Sequence, residues 1–128
     1  MSKKETPLIR AYWNKVGGTL VEEFLVVKKT NTNSPRYIDG IIIPDGEHRI
    51  AKQREVVIKG KDIICVQAKT KRLGMYLMGQ TLFSYFLLQK YFKPRSILSV
   101  ALCTCDDSVL RPLLERYPYA KVEIIDYF

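Results

Sequence analysis

Apolar residues along the chain recur first at helical spacing and later in runs that are typical of strands. Between positions 8 and 16 the spacing is helical, with the cap signal Thr6-Pro7 before it and the stop signal Gly17-Gly18 after it. Runs rich in β-branched and aromatic residues follow, separated by turn residues such as Pro44-Asp45-Gly46. These runs predict strands at residues 19–29, 36–43, 61–69, 96–103 and 120–127.

Two more helices are predicted between the later strands. Residues 73–91 are apolar with no charge until Lys90. A second helix is expected from the caps Asp106 and Asp107 to Arg116, bent or started later because of Pro112. The polar segment 47–60 predicts a short hairpin arm or a mobile loop. The order α-β-β-β-α-β-α-β predicts that residues 1–128 form one α/β domain, with a central mixed sheet flanked by helices.

The charge balance of the chain indicates the class of its partner. Lysine and arginine total 21 against 13 aspartates and glutamates, which gives a net charge of +8. In a small domain this excess predicts a polyanionic partner, nucleic acid before an anionic membrane. A basic surface that serves solubility is the alternative. Hydrophobic residues make up 47% of the chain, which is typical of a folded domain.

Cysteine usage and the first residues favour a cytoplasmic protein. The three cysteines lie within apolar runs, which predicts reduced core residues, and no second ligand pair accompanies the Cys-x-Cys spacing to form a zinc site. The opening MSKKETP lacks the apolar segment of a signal peptide. Residues 73–92 reach the length of a membrane span. Because glutamines and a serine interrupt them, we expect a helix buried on nearly all sides of a soluble core, with no membrane partner; membrane attachment is the alternative.

Three polar residues stand out because they lie in otherwise apolar strands. Asp39 lies in RYIDGIII beside a glycine, and 28 residues later Gln67 begins the Q-x-K pair that Lys69 completes in KDIICVQAKTKR. Alternation places Gln67 and Lys69 on one face near the end of a central strand, where ligands of α/β sheets gather. The alternative is that this strand ends at Val66 and leaves both side chains in solvent.

These residue types suit metal-dependent hydrolysis of a phosphodiester. Mg²⁺ (or Mn²⁺) prefers oxygen ligands, which the Asp39 carboxylate and the Gln67 amide supply. Such a cation activates water and neutralises charge in the transition state. The Lys69 ammonium stabilises the developing negative charge or positions the attacking water. We therefore expect Asp39, Gln67 and Lys69 to be catalytic.

The motif RYIDG…VQAK resembles the PD-(D/E)xK nuclease superfamily, and most closely its Mrr-like restriction endonuclease branch, which typically shows IDG followed by a Q-x-K strand. The order of elements is similar to the superfamily's α-β-β-β-α-β core over roughly residues 6–104. The resemblance implies a restriction-endonuclease-like core and a Mg²⁺-dependent DNA endonuclease. It places Asp39, Gln67 and Lys69 at the motif positions, and it implies that the backbone carbonyl of Ala68 completes the metal shell.

A second part of the resemblance lies on the predicted helix. Gln80, with Tyr76 and Tyr85, is similar to the helix motif of RecB-like nucleases, in which a glutamine contacts the site or DNA. The tyrosine spacing differs from that motif by one residue.

The chain also departs from the family pattern. The gap before Gln67 is long because residues 47–60 are inserted, and glutamine replaces the usual second acid. A third acid often comes from the first helix in this family, but the predicted helix contains none. Glu5 lies just before it, and of Glu22 and Glu23 on the next strand only one can face the site as a metal ligand.

Basic residues surround the proposed motif in the sequence and predict contacts with DNA phosphates. The lone His48 is expected to be an exposed loop residue. The candidate nucleic-acid-binding residues are Lys52, Arg54, Lys61, Lys71, Arg72 and Gln80.

Two further expectations remain open. Because the chain has little beyond the predicted core, sequence specificity would need a homodimer or a partner protein. The alternative function is a nuclease-like module that has lost catalysis and serves DNA binding or assembly. The substrate, whether duplex, junction, methylated DNA or RNA, is left open.

Overall fold

The computed structural model describes residues 4–126. Its elements are α1 (Thr6–Val16), β1 (Thr19–Val27), β2 (Arg36–Ile43), β3 (Arg49–Ala51), a 3₁₀ turn (Gln53–Glu55), β4 (Asp62–Arg72), α2 (Met75–Tyr91), β5 (Ser96–Cys105), α3 (Leu110–Leu114) and β6 (Ala120–Ile124).

The six strands form one mixed sheet in the order β3-β1-β2-β4-β5-β6. The β1–β2 and β2–β4 pairs are antiparallel, whereas β4–β5 and β5–β6 are parallel. The predicted α/β fold with a central mixed sheet flanked by helices is therefore confirmed. The predicted order was wrong in one respect, because it lacked β3, which pairs in parallel with the start of β1. Only three residues of the polar segment 47–60 extend along that edge, too few to show a strand pattern.

The two faces of the sheet carry different helices. The α1 residues Leu8, Ile9 and Tyr12 pack with Ile42 and Val66 on one face. On the other face α2 packs through two clusters, one of which contains Leu88 with Cys65 and one of which contains Leu77 with Ala101 and Leu114. The α1 cluster and the cluster of Leu88 with Cys65 together bury both sides of β4, as its apolar run predicts.

Glycine 18 determines how α1 is joined to the sheet. Its φ is +81°, and a Cβ atom there would lie 2.3 Å from the carbonyl oxygen of Ile43. That oxygen leaves no room for a side chain, and the positive φ favours glycine. The indole of Trp13 donates to the carbonyl oxygen of Gly18 at 2.7 Å, so the stop signal also anchors the end of α1.

The exposed face of α2 corrects the prediction that this helix is buried on nearly all sides. Its buried residues, Leu77, Thr81, Ser84 and Leu88, lie on the side that meets the sheet. The side of the helix that faces away from the sheet is also apolar in sequence, and its large side chains remain exposed. They are Met75, Tyr76, Phe83, Phe86 and Tyr91. Within residues 4–126, no helix has the length and apolarity needed to cross a membrane.

The last elements are shorter than predicted. The carboxylate of Asp107 accepts hydrogen bonds from the backbone N–H groups of Val109 and Leu110, at 2.9 and 2.8 Å. Asp107 therefore caps this segment, as predicted, but the helix covers only Leu110–Leu114 and ends before Arg116; Pro112 falls in its first turn, where proline is tolerated. β6 ends at Ile124, and the predicted end of this strand at Tyr127 lies outside the described residues.

The cysteines agree with the sequence prediction. All three are free; Cys65 and Cys103 are buried, and Cys105 is half-buried. Burial raises the pKa of the Cys65 thiol to about 12, so this side chain is a neutral part of the core.

Candidate functional site

The site lies where β2 and β4 separate. Their pairing runs from Ile42↔Ile64 to Gly40↔Val66 and then stops. β4 continues beside β5 as far as Arg72, and β2 continues beside β1 as far as Arg36, so the two halves of the sheet separate from each other here. A gap therefore opens in the middle of the sheet at Asp39, at the level of residues 67 and 68.

Asp39 replaces the missing backbone pairing with its side chain. Its Oδ2 accepts a hydrogen bond from the backbone N–H of Ala68 at 2.9 Å. Its own backbone N–H donates to Oε1 of Gln67 at 3.4 Å, which is a long bond. The adjacent Gly40 lets α1 approach, because a Cβ atom there would lie 3.2 Å from Cγ2 of Ile9. The glycine was predicted to let another group approach the backbone closely, and that group is the Ile9 side chain of α1.

Gln67 points into the layer between the sheet and α2. It is 3% exposed, and its Nε2 donates to the hydroxyl of Ser84 on α2 at 2.8 Å. Lys69 lies on the same face, with its Nζ 5.7 Å from the ring centre of Tyr76. The strand does not end at Val66, so the alternative in which both side chains are solvated is wrong for Gln67.

Glu5 supplies a second acid beside Asp39. It occupies the position just before α1, is 6% exposed, and accepts a hydrogen bond from the Thr70 hydroxyl at 3.4 Å. Asp39 is hydrogen-bonded to Ala68 and Glu5 to Thr70, two residues further along β4, so the two carboxylates are neighbours, and the charge of Glu5 contributes to the raised pKa of Asp39. The sequence signal was present, because Glu5 is the only acid before Glu22.

The two strand glutamates have other surroundings. Glu22 forms a bidentate pair with Arg10 of α1, with contacts of 2.9 and 3.1 Å. Glu23 is exposed and has a φ of +50°, where the alternation of β1 is interrupted. Glu5, which lies just before the helix and was not among the predicted metal ligands, also lies near Asp39.

The surroundings of Asp39 oppose its ionisation. Burial is the main cause of its raised pKa, and the hydrogen bond from the Ala68 N–H acts in the opposite direction. The carboxylate of Glu5 raises the pKa further, whereas the ammonium of Lys69 lowers it. A bound cation would favour the charged form of Asp39.

The site offers a hard cation two carboxylates and two neutral oxygen donors. Among residues 4–126 there is no group of three His, Cys, Asp or Glu side chains able to hold a metal. Mg²⁺ is commonly held by one or two carboxylates while it keeps several waters, so Asp39 and Glu5 are a sufficient acidic set. The amide oxygen of Gln67 and the carbonyl of Ala68 are the neutral donors next to them.

The fold divides the basic run that is continuous in the sequence. Lys71 and Arg72 lie at the end of β4 that also carries Lys69. Lys61 precedes the opposite end, so about 23 Å of strand separate its neighbour Asp62 from Lys69. Lys52 and Arg54 lie beyond β1, at the edge formed by β3 and the 3₁₀ turn. His48 is exposed, as predicted, and stacks on Trp13 with ring centres 4.2 Å apart.

A groove of about 660 Å³ opens beside Gln67, between the start of β2 and α2. Gln80 lies in it, and the Oε1 atom of Gln80 is buried without a hydrogen-bond partner in the described part of the chain. Tyr85, in contrast, stacks on Tyr119 with ring centres 3.7 Å apart, away from the groove. The residues that line the groove include Arg36, Tyr37, Tyr76, Gly79, Gln80 and Phe83.

Comparison of the chain with protein-family models, curated proteins and solved structures gave no match. The resemblance to PD-(D/E)xK nucleases therefore depends on Asp39, Gln67 and Lys69 and on the order of the elements that carry them.

Proposed function

We propose that the chain is a metal-dependent deoxyribonuclease that hydrolyses phosphodiester bonds at the gap between β2 and β4. The observation that carries this proposal is the meeting of Asp39, Gln67 and Lys69 where the sheet separates, with Glu5 next to Asp39. An acid, an amide and an ammonium brought together at a break in an apolar sheet are costly to maintain for stability alone. A restriction-endonuclease-like core is the fold we infer for the same reason.

Asp39 and Glu5 are the residues that would hold Mg²⁺ or Mn²⁺, with Gln67 and the carbonyl of Ala68 as neutral donors. When bound, the cation neutralises phosphate charge and lowers the pKa of a coordinated water. Glu22 and Glu23 are less favourable ligands, since one is paired with Arg10 and the other is exposed.

Lys69 has the role of stabilising charge on the phosphate. During hydrolysis water adds to phosphorus, a P–O ester bond breaks, and negative charge increases on the oxygens around phosphorus. The ammonium of Lys69 lies 5.7 Å from the ring centre of Tyr76, a residue that also lines the groove beside Gln67. A fixed cation there stabilises the charge as it develops without having to reorganise first.

The basic end of β4 suits a DNA backbone. Lys71 and Arg72 are exposed and continue the strand beyond Lys69. The guanidinium of Arg72 also donates to the carbonyl oxygen of Asp106, which orients it along this edge. These residues and the net charge of +8 support DNA as the polyanion.

Plasmid cleavage with Mg²⁺ or Mn²⁺ tests the proposal. We expect Asp39→Ala and Lys69→Ala each to lose at least 100-fold in cleavage rate. Asp45→Ala, an exposed turn residue, is the control for the first. Lys90→Ala is the control for the second, because Lys90 also lies over a tyrosine ring, 5.2 Å from the centre of Tyr91. Equal cleavage by the two site variants and the controls would show that the site is elsewhere.

A second candidate function is DNA binding without catalysis. The amide of Gln67 is already used by Ser84 and the Asp39 backbone, which favours a structural role for it. Salt-dependent binding of DNA by the wild type, with no cleavage in either metal, would select this function over the first.

A further inference from the structure

We propose that the groove beside Gln67 binds unpaired bases of single-stranded DNA by stacking, so that the substrate of the site is a single strand. The inference rests on the proposed function for the chemistry, but it concerns a binding surface that can be measured without cleavage. The residues that line the groove support the inference.

Aromatic side chains stand on both walls of the groove. Tyr37 on β2 is 56% exposed, and Tyr76 and Phe83 on α2 are 73% and 67% exposed. Rings this open cost free energy in water and gain it when another planar ring covers them. Bases in a duplex are already stacked and paired, whereas unpaired bases are free to stack on such rings.

The α2 wall has the spacing of one helical face. Tyr76, Gly79, Gln80 and Phe83 follow at intervals of three, one and three residues, so the two rings lie about two turns apart with the glycine between them. A Cβ atom at Gly79 would meet nothing within 4 Å, which shows open space at that point of the groove. Two rings with an open floor between them provide room for a flat base.

A hydrogen-bonding group lies at the floor. The Oε1 atom of Gln80 is shielded from water and has no donor among residues 4–126. Buried amide oxygens are nearly always satisfied, so this oxygen gains a hydrogen bond if the side chain rotates toward the groove and meets a donor there. The exocyclic amine or ring N–H of a base is such a donor.

Charge determines which occupant fits this apolar groove. Arg36 lies at the β2 side, and Lys69, Lys71 and Arg72 border the adjoining hollow that Tyr76 also lines. A second copy of the chain would bring another +8 against this surface. A polyanion with planar apolar groups matches both the rings and the cations, which favours single-stranded nucleic acid over self-association.

Binding is measured by fluorescence anisotropy in EDTA, with a labelled dT12 strand and with the dT12·dA12 duplex at the same salt concentration. We expect the single strand to bind at least 10-fold more tightly. Tyr76→Ala and Phe83→Ala should each weaken single-strand binding by about 5- to 150-fold, the range of one lost base stack, and leave duplex binding unchanged. Tyr91→Ala, an exposed aromatic residue of α2 outside the groove, is the matched control.

Gly79→Leu provides a second variant that does not depend on removing rings. The added side chain enters open space and replaces glycine with a better helix former, so the fold should be kept or stabilised. It should block single-strand binding, while circular dichroism stays as in the wild type and the thermal unfolding temperature is unchanged or higher.

Equal affinity for strand and duplex, or unchanged single-strand binding in the three groove variants, would overturn the inference. A dimer in sedimentation that Phe83→Ala dissociates would also overturn it, by assigning the face to a second copy. The two proposals fail separately. Groove-dependent binding without cleavage removes only the nuclease, and cleavage of duplex DNA without a single-strand preference removes only the groove.

Discussion

Replacing Gln67 with glutamate tests whether this position belongs to a metal site. The two side chains have the same shape, and the first oxygen can still accept from the Asp39 N–H. The second can accept from the Ser84 hydroxyl, which now donates instead of accepting. The change therefore adds one buried negative charge beside Asp39 and Glu5 with little change in packing.

The expected cost follows from burial. A fully buried carboxyl can have its pKa raised by about 3–5 units, and the two retained hydrogen bonds reduce that shift to about 2 units. At 1.36 kcal/mol per unit, the variant loses about 2.7 kcal/mol of stability once the new group is ionised. Because the folded pKa lies above the unfolded value of about 4.3, the loss is absent below pH 4 and complete near pH 7.

Urea unfolding at pH 4 and pH 8, in EDTA and in 10 mM Mg²⁺, measures the effect. If the cation binds the variant with a Kd of about 1 mM, Mg²⁺ should restore about 1.4 kcal/mol at pH 8. Gln89→Glu makes the same charge change at an exposed position of α2 and should show neither effect. We also expect Gln67→Glu to cleave DNA faster than the wild type at saturating Mg²⁺, because it adds a further carboxylate ligand to Asp39 and Glu5.

Two results would refute this reasoning. A stability loss of equal size at pH 4 and pH 8 would mean that no buried charge is formed. A loss at pH 8 that Mg²⁺ does not reduce would mean that the cation binds elsewhere, and Gln67 would then be a purely structural side chain.

Three further predictions concern neighbouring groups. Ser84→Ala leaves the buried Nε2 of Gln67 without its acceptor and should lower the free energy of unfolding by about 1–3 kcal/mol, measured by urea titration. Asp39→Asn keeps an acceptor for the Ala68 N–H and removes a charge whose folded pKa is raised. It should be more stable than the wild type at pH 8, and this advantage should disappear as the pH falls below the unfolded pKa of aspartate; a constant difference across pH would argue against a buried charge. Lys71→Ala should reduce the salt dependence of DNA binding by about one phosphate contact, and Lys61→Ala should reduce it less; equal slopes would mean that the whole basic run contacts DNA.

The strands and the polar pair were predictable because their signals are local. Proline residues flank β2 on both sides, and its predicted bounds, 36–43, are those of the structure. The alternation of β4 likewise placed Gln67 and Lys69 on one face, and both side chains meet α2. Pattern reasoning succeeds here because each strand is read from residues within it.

The features that the sequence did not predict depend on contacts between distant segments of the chain. The approach of Glu5 to Asp39 requires α1 to cross the sheet at Gly40, and only the folded chain brings these positions together. The basic run is divided for the same reason, because its residues lie at opposite ends of β4 once the chain is folded. The exposed face of α2 was not predicted, because a helix that is apolar on all sides gives no sign of which side packs against the sheet.

Gln67 joins the two parts of the proposed site. Its amide oxygen meets the backbone of Asp39 in the gap, and its amide nitrogen holds Ser84, one turn of α2 from Gln80 and next to Phe83. A shift of α2 would therefore move both the groove and the amide that faces Asp39. If a base stacks on Tyr76 and Phe83, the same hydrogen bond fixes the position of the strand relative to the acids. Ser84→Ala tests this coupling between the groove and the acids. It should weaken single-strand binding and slow cleavage together, although the aromatic residues of the groove and the two acids are unchanged.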